Sequence, residues 1–169
     1  MNLLKTILPP YAFYGRGLII GPIVFLTDDS SAERNALELC WPGGIRLLCM
    51  FHFLQAFWRW IYDSKHGIKK EDWANIIKQV RKILYAQSES EMDACYHEFK
   101  QNFYQPYPLL QRHFQLLWDW CQFWALSFHV RLPIRGNNTN NYIERSFGIL
   151  KDIFSPGHKH SILSKYFSL

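Results

Sequence analysis

The sequence has few charged residues and few cysteines, and no long apolar run. Charged residues occupy 20% of its 169 positions, a smaller share than a disordered polar tail would have. The four cysteines show no repeated spacing, which argues against a disulfide framework and predicts reduced thiols. The longest apolar run, residues 17–26, is too short for a membrane span and contains Pro22. We therefore expect a nuclear or cytoplasmic protein that is not secreted and has no membrane segment.

Aromatic residues are abundant instead, at 17% of positions with seven Trp and thirteen Phe. A chain of this length is one ordinary domain with a real core. The net charge of +5 and the pI near 9.0 favour polyanionic partners. One basic cluster, within residues 65–82, has the spacing of a solvated helix face. The other covers the last forty residues and surrounds a candidate site.

Acidic residues are absent from the first 27 positions, and the first carboxylate is Asp28. It directly follows the apolar run of residues 24–27, which predicts a buried strand. A carboxylate at the carboxyl end of such a strand is well placed to bind a metal ion. However, Ser30 and Glu33 have the spacing of a capping box, which would make Asp28 a polar turn residue. Both interpretations stay open at this point.

The first fifty residues have an α/β pattern. Residues 17–27 predict one or two short strands, interrupted by Gly21-Pro22. Residues 31–40 predict a helix that stops at Trp41-Pro42. Residues 45–50 predict a second buried strand.

From residue 51 onward the apolar spacing becomes helical. Four amphipathic helices are expected, with apolar stripes at Phe53, Leu54, Phe57, Trp58 and Ile61; at Trp73, Ile76, Ile77, Val80, Ile83 and Leu84; at Met92, Cys95, Phe99 and Phe103; and at Leu110, Phe114, Leu117, Cys121 and Trp124. Ser88 and Glu91 form a second capping-box pattern. In the fourth helix the aromatic residues cover more than one face. They predict either a core helix packed on both sides or a platform on which nucleic-acid bases stack.

A further helix is expected after an Asn-rich stretch at residues 137–141. Glu144 lies in its first turn, beside the buried stripe and next to the small Gly148, so its carboxylate has room for a ligand. The alternative is that Asn141 and Glu144 only cap the helix. Basic residues surround this segment, namely Arg131, Arg135, Arg145 and Lys151.

From about residue 14 to residue 152 the chain resembles Mutator-like element (MULE) transposases in five features that occur in the same order. They are Thr27-Asp28-Asp29, the helix with Ala36, the Trp41-Pro42 stop, the junction at residues 48–52, and Asn140-Asn141-x-x-Glu144 with Lys151. The resemblance implies a ribonuclease H-like core with a DDE triad and a helical insertion before the Glu. Asp28 and Glu144 would be the second and third acids. They would bind Mg²⁺ or Mn²⁺ for DNA cleavage and strand transfer.

The expected fold is α+β and mostly helical. It consists of a partial ribonuclease H-like core at residues 1–50, an all-helical insertion at 51–128, and the part of the core that carries the Glu helix at 129–169. Since residues 1–27 contain no Asp or Glu, the first acid of the triad is missing. We interpret the chain as a truncated transposase or an incomplete gene model that is catalytically defective.

The expected partner is the DNA of transposon ends, and Arg131, Arg135, Arg145 and Lys151 are expected to bind its phosphates. A homo-oligomer is also possible. Cys49 and His52 match a C-x-x-H pair common in this superfamily. Zinc is not expected there, because a structural zinc needs four ligands and no second close pair is present. Two alternatives remain: a non-catalytic DNA-binding protein derived from a transposase, and a helical protein-interaction module at residues 51–128.

Overall fold

Two short parallel strands lie near the start of the part of the chain that the structure describes, and a series of helices follows the second strand. The computed structural model describes residues 6–28 and 30–134. The elements are α1 (Gly17–Ile20), β1 (Val24–Thr27), α2 (Ser31–Cys40), β2 (Ile45–Leu48), α3 (Met50–Tyr62), a 3₁₀ turn (Ser64–His66), α4 (Lys70–Tyr85), α5 (Glu89–Phe103), α6 (Pro108–Trp118), α7 (Cys121–Trp124) and α8 (Leu126–His129).

The strands and α2 form a β-α-β unit. β1 and β2 are parallel, with Val24 opposite Ile45 and Thr27 opposite Leu48. Parallel neighbours need a crossover connection, and α2 supplies it. The Thr27 hydroxyl donates a 3.3 Å hydrogen bond to the Leu47 carbonyl. Both strands therefore end at the same edge of the sheet, where Asp28 follows β1.

The boundaries of α2 confirm the sequence prediction. The Ser30 hydroxyl accepts a hydrogen bond from the Glu33 amide at 3.4 Å, which caps the first turn. The helix ends at Trp41, whose amide donates to the Leu37 carbonyl. The indole of Trp41 donates to the Leu18 carbonyl at 2.8 Å and stacks on Phe25. Trp41 therefore joins the end of α2 to the segment before β1.

Residues 17–20 were predicted as strand, and that prediction is wrong because they form α1. Gly17 and Gly21, at either end, both have positive φ angles, which turn the backbone out of an extended path. A Cβ on Gly21 would also overlap the Trp41 indole. The second predicted strand ends at Leu48 instead of Met50, because the Cys49 carbonyl already accepts the first helical bond of α3, from Phe53.

The core of the helical part forms where α3, α4, α5 and α6 meet. Most residues of the predicted stripes are buried here, which confirms the periodicity. The side chains with at most 2% exposure in these four helices include Phe57, Ile61, Ile76, Val80, Ile83, Leu84, Phe99, Leu110 and Phe114. Phe114 contacts the rings of Phe57, Phe99 and Trp124. Ring packing therefore joins three of the predicted helices.

The fourth predicted helix is not continuous. α6 ends at Trp118, and the chain turns through Asp119 and Trp120 before α7. This turn directs Trp124 into the core, where it is 1% exposed and stacks on Phe53. Its indole donates to the Leu117 carbonyl at 2.9 Å. The prediction that Trp124 is buried is confirmed, but the prediction of one continuous helix is wrong.

The described residues are mostly helical, with one small parallel sheet of two strands. This confirms the expected α+β class at that level of detail. Within the described ranges, no helix is both long enough and apolar enough to cross a membrane.

Candidate functional site

A cleft lies between the carboxyl ends of the two strands and helix α6. It contains two adjoining cavities, which share Leu48, Phe53, His113 and Leu117 in their walls. The smaller one, the histidine cavity, has a volume of about 430 Å³ and is lined by Asp28, His52, Trp60 and His113 among others. The larger one, the aromatic cavity, has a volume of about 550 Å³ and is lined by Phe53, Trp120, Phe123, Trp124, Arg34 and Arg46 among others.

Asp28 lies at the predicted place, directly after β1 and exposed at the mouth of the histidine cavity. Its carboxylate accepts a hydrogen bond from the Ser30 amide at 3.0 Å. This contact closes an Asx turn that leads into α2. Asp28 therefore has the turn role that the sequence allowed, and the carboxylate is also held at the edge of the cleft.

Glu33, on the first turn of α2, is coupled to Asp28. Burial raises the pKa of Glu33, and the negative charge of Asp28 and a side-chain hydrogen bond with it raise this pKa further. Two carboxyl groups therefore meet where β1 ends. From the sequence, Glu33 was assigned only a capping role, although it lies in the first turn of the helix that Asp28 precedes.

The described donors do not make a complete metal site. Within residues 6–28 and 30–134, no three His, Cys, Asp or Glu side chains are grouped closely enough to hold an ion. Asp28 and Glu33 offer hard oxygen ligands of the kind Mg²⁺ prefers, but the Glu33 carboxyl has a raised pKa. Glu144, the other predicted ligand, lies outside the described residues.

Cys49 and His52 have different surroundings. Cys49 is fully buried before α3, and its amide extends the sheet by donating to the Thr27 carbonyl at 2.8 Å. Its thiol lies near Tyr85, a phenol whose pKa is raised chiefly by burial. His52 instead lines the histidine cavity, on the side of Glu33. Cys49 is therefore a core residue, whereas His52 belongs to the wall of the cavity.

His113 is a residue of the cleft that sequence analysis missed. Its imidazole stacks on the Trp60 indole with centroids 4.1 Å apart, and the His66 imidazole stacks on the same indole at 3.9 Å. Burial, followed by the nearby His66, lowers the pKa of His113 to about 4. A single histidine within an amphipathic helix gave no signal for this role. At neutral pH, His113 contributes an uncharged aromatic surface to both cavities.

The walls of the aromatic cavity combine rings with two guanidinium groups. Trp120 and Phe123 project beside one another, with centroids 5.7 Å apart. Arg34 comes from α2 and Arg46 from β2, and Arg46 pairs with Glu38. The sequence left open whether these aromatic residues belong to a core helix or to a stacking platform, and it gave no reason to place either arginine beside them.

Among the predicted DNA contacts, Arg131 is exposed just after α8. The others, Arg135, Arg145 and Lys151, lie outside the described residues, as does Glu144. The predicted approach of Glu144 to Asp28 therefore stays a prediction.

Comparison of the chain with protein-family models, with curated protein sequences and with solved structures finds no match. Support for a function therefore comes from the chain's own residues, namely from the strand-end carboxylates, the two cavities and the basic charge.

Proposed function

We propose that this chain is a catalytically defective form of a DDE-type DNA transposase of the Mutator-like kind, and that it binds DNA without cutting it. One observation carries the proposal: Asp28 lies at the carboxyl end of a parallel β-α-β unit that is followed by an all-helical block. This is the order of elements that a ribonuclease H-like core with a helical insertion requires. On this proposal β1 and β2 are two strands of that core.

The proposed lack of cleavage is argued from the carboxylates that this chain offers as metal ligands. Two-ion chemistry on a phosphodiester needs several carboxylates around one cation pair. In the proposed core, Mg²⁺ or Mn²⁺ would have Asp28 and Glu144 as ligands, and residues 1–27 provide no further acid. The described residues do not complete such a site. We therefore assign no catalytic step to the chain.

DNA binding is supported by charge. The chain carries a net charge of +5, and Arg131 is exposed just after the last described helix. Arginine and lysine neutralise backbone phosphates and release counterions, so affinity falls as salt rises. Arg135, Arg145 and Lys151 are proposed to extend the contact with the phosphates.

The binding test measures the affinity of the full chain for duplex DNA at several salt concentrations by fluorescence anisotropy. We expect a plot of log affinity against log salt with a negative slope. Changing Arg135 and Arg145 to Ala should reduce that slope by about two, since each phosphate contact contributes about 0.9. The matched control changes Lys69 and Lys70, at the start of α4, to Ala and should leave the slope unchanged. Affinity that does not respond to salt would contradict the proposal.

The cleavage test incubates supercoiled DNA with the chain and Mg²⁺ or Mn²⁺. We expect no nicking by the wild type, and equal DNA affinity for the wild type and Asp28→Asn. Metal-dependent nicking that disappears in Asp28→Asn would show a working nuclease and contradict the defective state.

A further inference from the structure

The aromatic cavity has the size and the lining of a ligand site. Its volume of about 550 Å³ lies within the range of small-molecule pockets. Two of its aromatic walls are open to solvent, since Trp120 is 56% and Phe123 is 36% exposed. Phe53 and Trp124 form a buried, stacked pair behind them. The cavity therefore offers ring faces to a planar group that enters from solvent.

Trp120 differs from the other tryptophans. Trp41 and Trp124 are buried, Trp118 stacks on Tyr96 with centroids 3.7 Å apart, and Trp60 stacks on two imidazoles. Trp120 is the one tryptophan of the seven with more than half of its surface exposed. Core packing accounts for the others, but it does not account for an indole on the wall of an open cavity.

The charge of the cavity favours an anionic ligand. Arg34 and Arg46 are half-buried in its wall, and among residues 6–28 and 30–134 no carboxylate lines it. Arg46 pairs with Glu38, which lies outside the lining. A phosphate would compete with Glu38 for Arg46 and could bind it in the planar, bidentate geometry that guanidinium groups prefer.

We propose that the aromatic cavity binds an unpaired nucleotide of a DNA strand. The base stacks on Trp120 and Phe123, and its phosphate binds Arg34 and Arg46. Stacking on an aromatic side chain tolerates any base, because every base has a π-face. The inference rests on the proposed function, since it assigns the nucleotide to the DNA that the chain binds.

The test compares the full chain's affinity for a ten-residue oligothymidylate with its affinity for an abasic strand of equal length. We expect tighter binding of the oligothymidylate. The double change Trp120→Ala and Phe123→Ala should weaken that binding about 5- to 100-fold and leave the affinity for the abasic strand unchanged. Trp120→Phe keeps an aromatic face and should retain most of the affinity. Changing Arg34 and Arg46 to Gln should weaken the binding of both strands.

The control is Tyr11→Ala, which removes an exposed aromatic ring from outside the cavity and should change neither affinity. Circular dichroism should show that all variants are folded, since the replaced rings are exposed. Equal binding of the two strands by the wild type, or an unchanged oligothymidylate affinity in the double variant, would overturn the inference. Thymidine monophosphate that binds as tightly as the oligomer would also overturn it, because the site would then not need a strand.

Measuring the affinity for duplex DNA distinguishes a failure of this inference from a failure of the proposed function. The double variant should bind duplex as the wild type does, because paired bases are not available to the cavity. Salt-independent duplex binding by the wild type counts against the transposase proposal, whereas equal binding of the two single strands counts against the nucleotide site.

Discussion

His113 shows how packing sets the charge of a single residue in the cleft. Its imidazole projects from α6, is partly buried against the Trp60 indole, and lies near His66. Burial disfavours the charged form of an imidazole, and a neighbouring imidazole disfavours it further. The lowered pKa of about 4 keeps His113 neutral above mildly acidic pH. This residue therefore links the stability of the cleft to pH.

We expect the chain to lose stability as pH falls from about 6.5 toward 4. An unfolded histidine has a pKa near 6.5 and binds a proton in this range, whereas folded His113 does not. The unfolded state then binds more protons, so the free energy of unfolding decreases as pH decreases. Urea unfolding at pH 7.0, 6.0 and 5.0 measures the effect.

The comparison variant is His113→Gln, which removes the titrating ring. It should be less stable than the wild type at pH 7 but should lose less stability on acidification. His129 also has a pKa lowered by burial, so a residual slope should persist. A variant with the same pH slope as the wild type would show that His113 is not responsible.

At this scale the sequence predicted Asp28 but not its neighbours. A carboxylate directly after an apolar run can be recognised locally. The meeting of Asp28, His52 and His113 at one cavity cannot be recognised from the local sequence, because the three residues are distant along the chain. Arg34 comes from α2 and Arg46 from β2, and both reach the aromatic cavity only in the folded β-α-β unit. Tertiary placement of this kind leaves no periodic signal in the sequence.

At the scale of the elements, α5 has a well-formed N-terminus. The Ser88 hydroxyl accepts a hydrogen bond from the Glu91 amide at 3.2 Å. The Glu91 carboxylate accepts from the amide of Gln87 at 2.8 Å, one residue before the position that a capping box uses. Two polar contacts therefore stabilise the start of a helix whose inner face holds Phe99.

Replacing Ser88 by Ala should destabilise the chain by about 1 kcal/mol, because the first turn loses the hydroxyl acceptor. The matched control is Ser90→Ala, two residues further on and also exposed. It lies inside the helix, where Ala is the better helix former, so it should be neutral or slightly stabilising. Thermal unfolding followed at 222 nm measures both. Equal effects of the two substitutions would contradict the capping role of Ser88.

Helices and strands were predicted correctly where the local sequence marks their ends strongly. The helix at residues 31–40 was found because Ser30 and Glu33 mark its start and Trp41-Pro42 marks its end. Residues 17–20 were assigned to a strand on the basis of apolar content, and the two positive-φ glycines decided otherwise. The turn at Asp119 and Trp120 was missed because the apolar spacing continues across it. Beyond the turn, Trp124 packs on Phe53, a contact between distant residues that the apolar spacing does not reveal.

At the scale of the whole molecule, the described core is concentrated in the helical part. Its most deeply buried side chains, such as Ile76, Val80, Phe99 and Phe114, belong to α4, α5 and α6. A sheet of two strands is marginal by itself and depends on the side chains packed against it. Leu47 and Trp41 are buried there, but they add little to the helical core. Folding should therefore be organised from the helices outward.

We expect residues 50–134 alone to fold as a helical unit, with a lower unfolding midpoint than the full chain because the faces of Phe53 and Trp124 toward the sheet become exposed. Circular dichroism and proton NMR dispersion measure this. The fragment should bind oligothymidylate more weakly than the full chain, since it keeps Trp120 and Phe123 but lacks Arg34, Arg46 and the sheet wall of the aromatic cavity. A fragment without a cooperative transition would show that the β-α-β unit is part of the folding core. A folded fragment that binds oligothymidylate as tightly as the full chain would show that Arg34, Arg46 and the sheet wall do not contribute to the site.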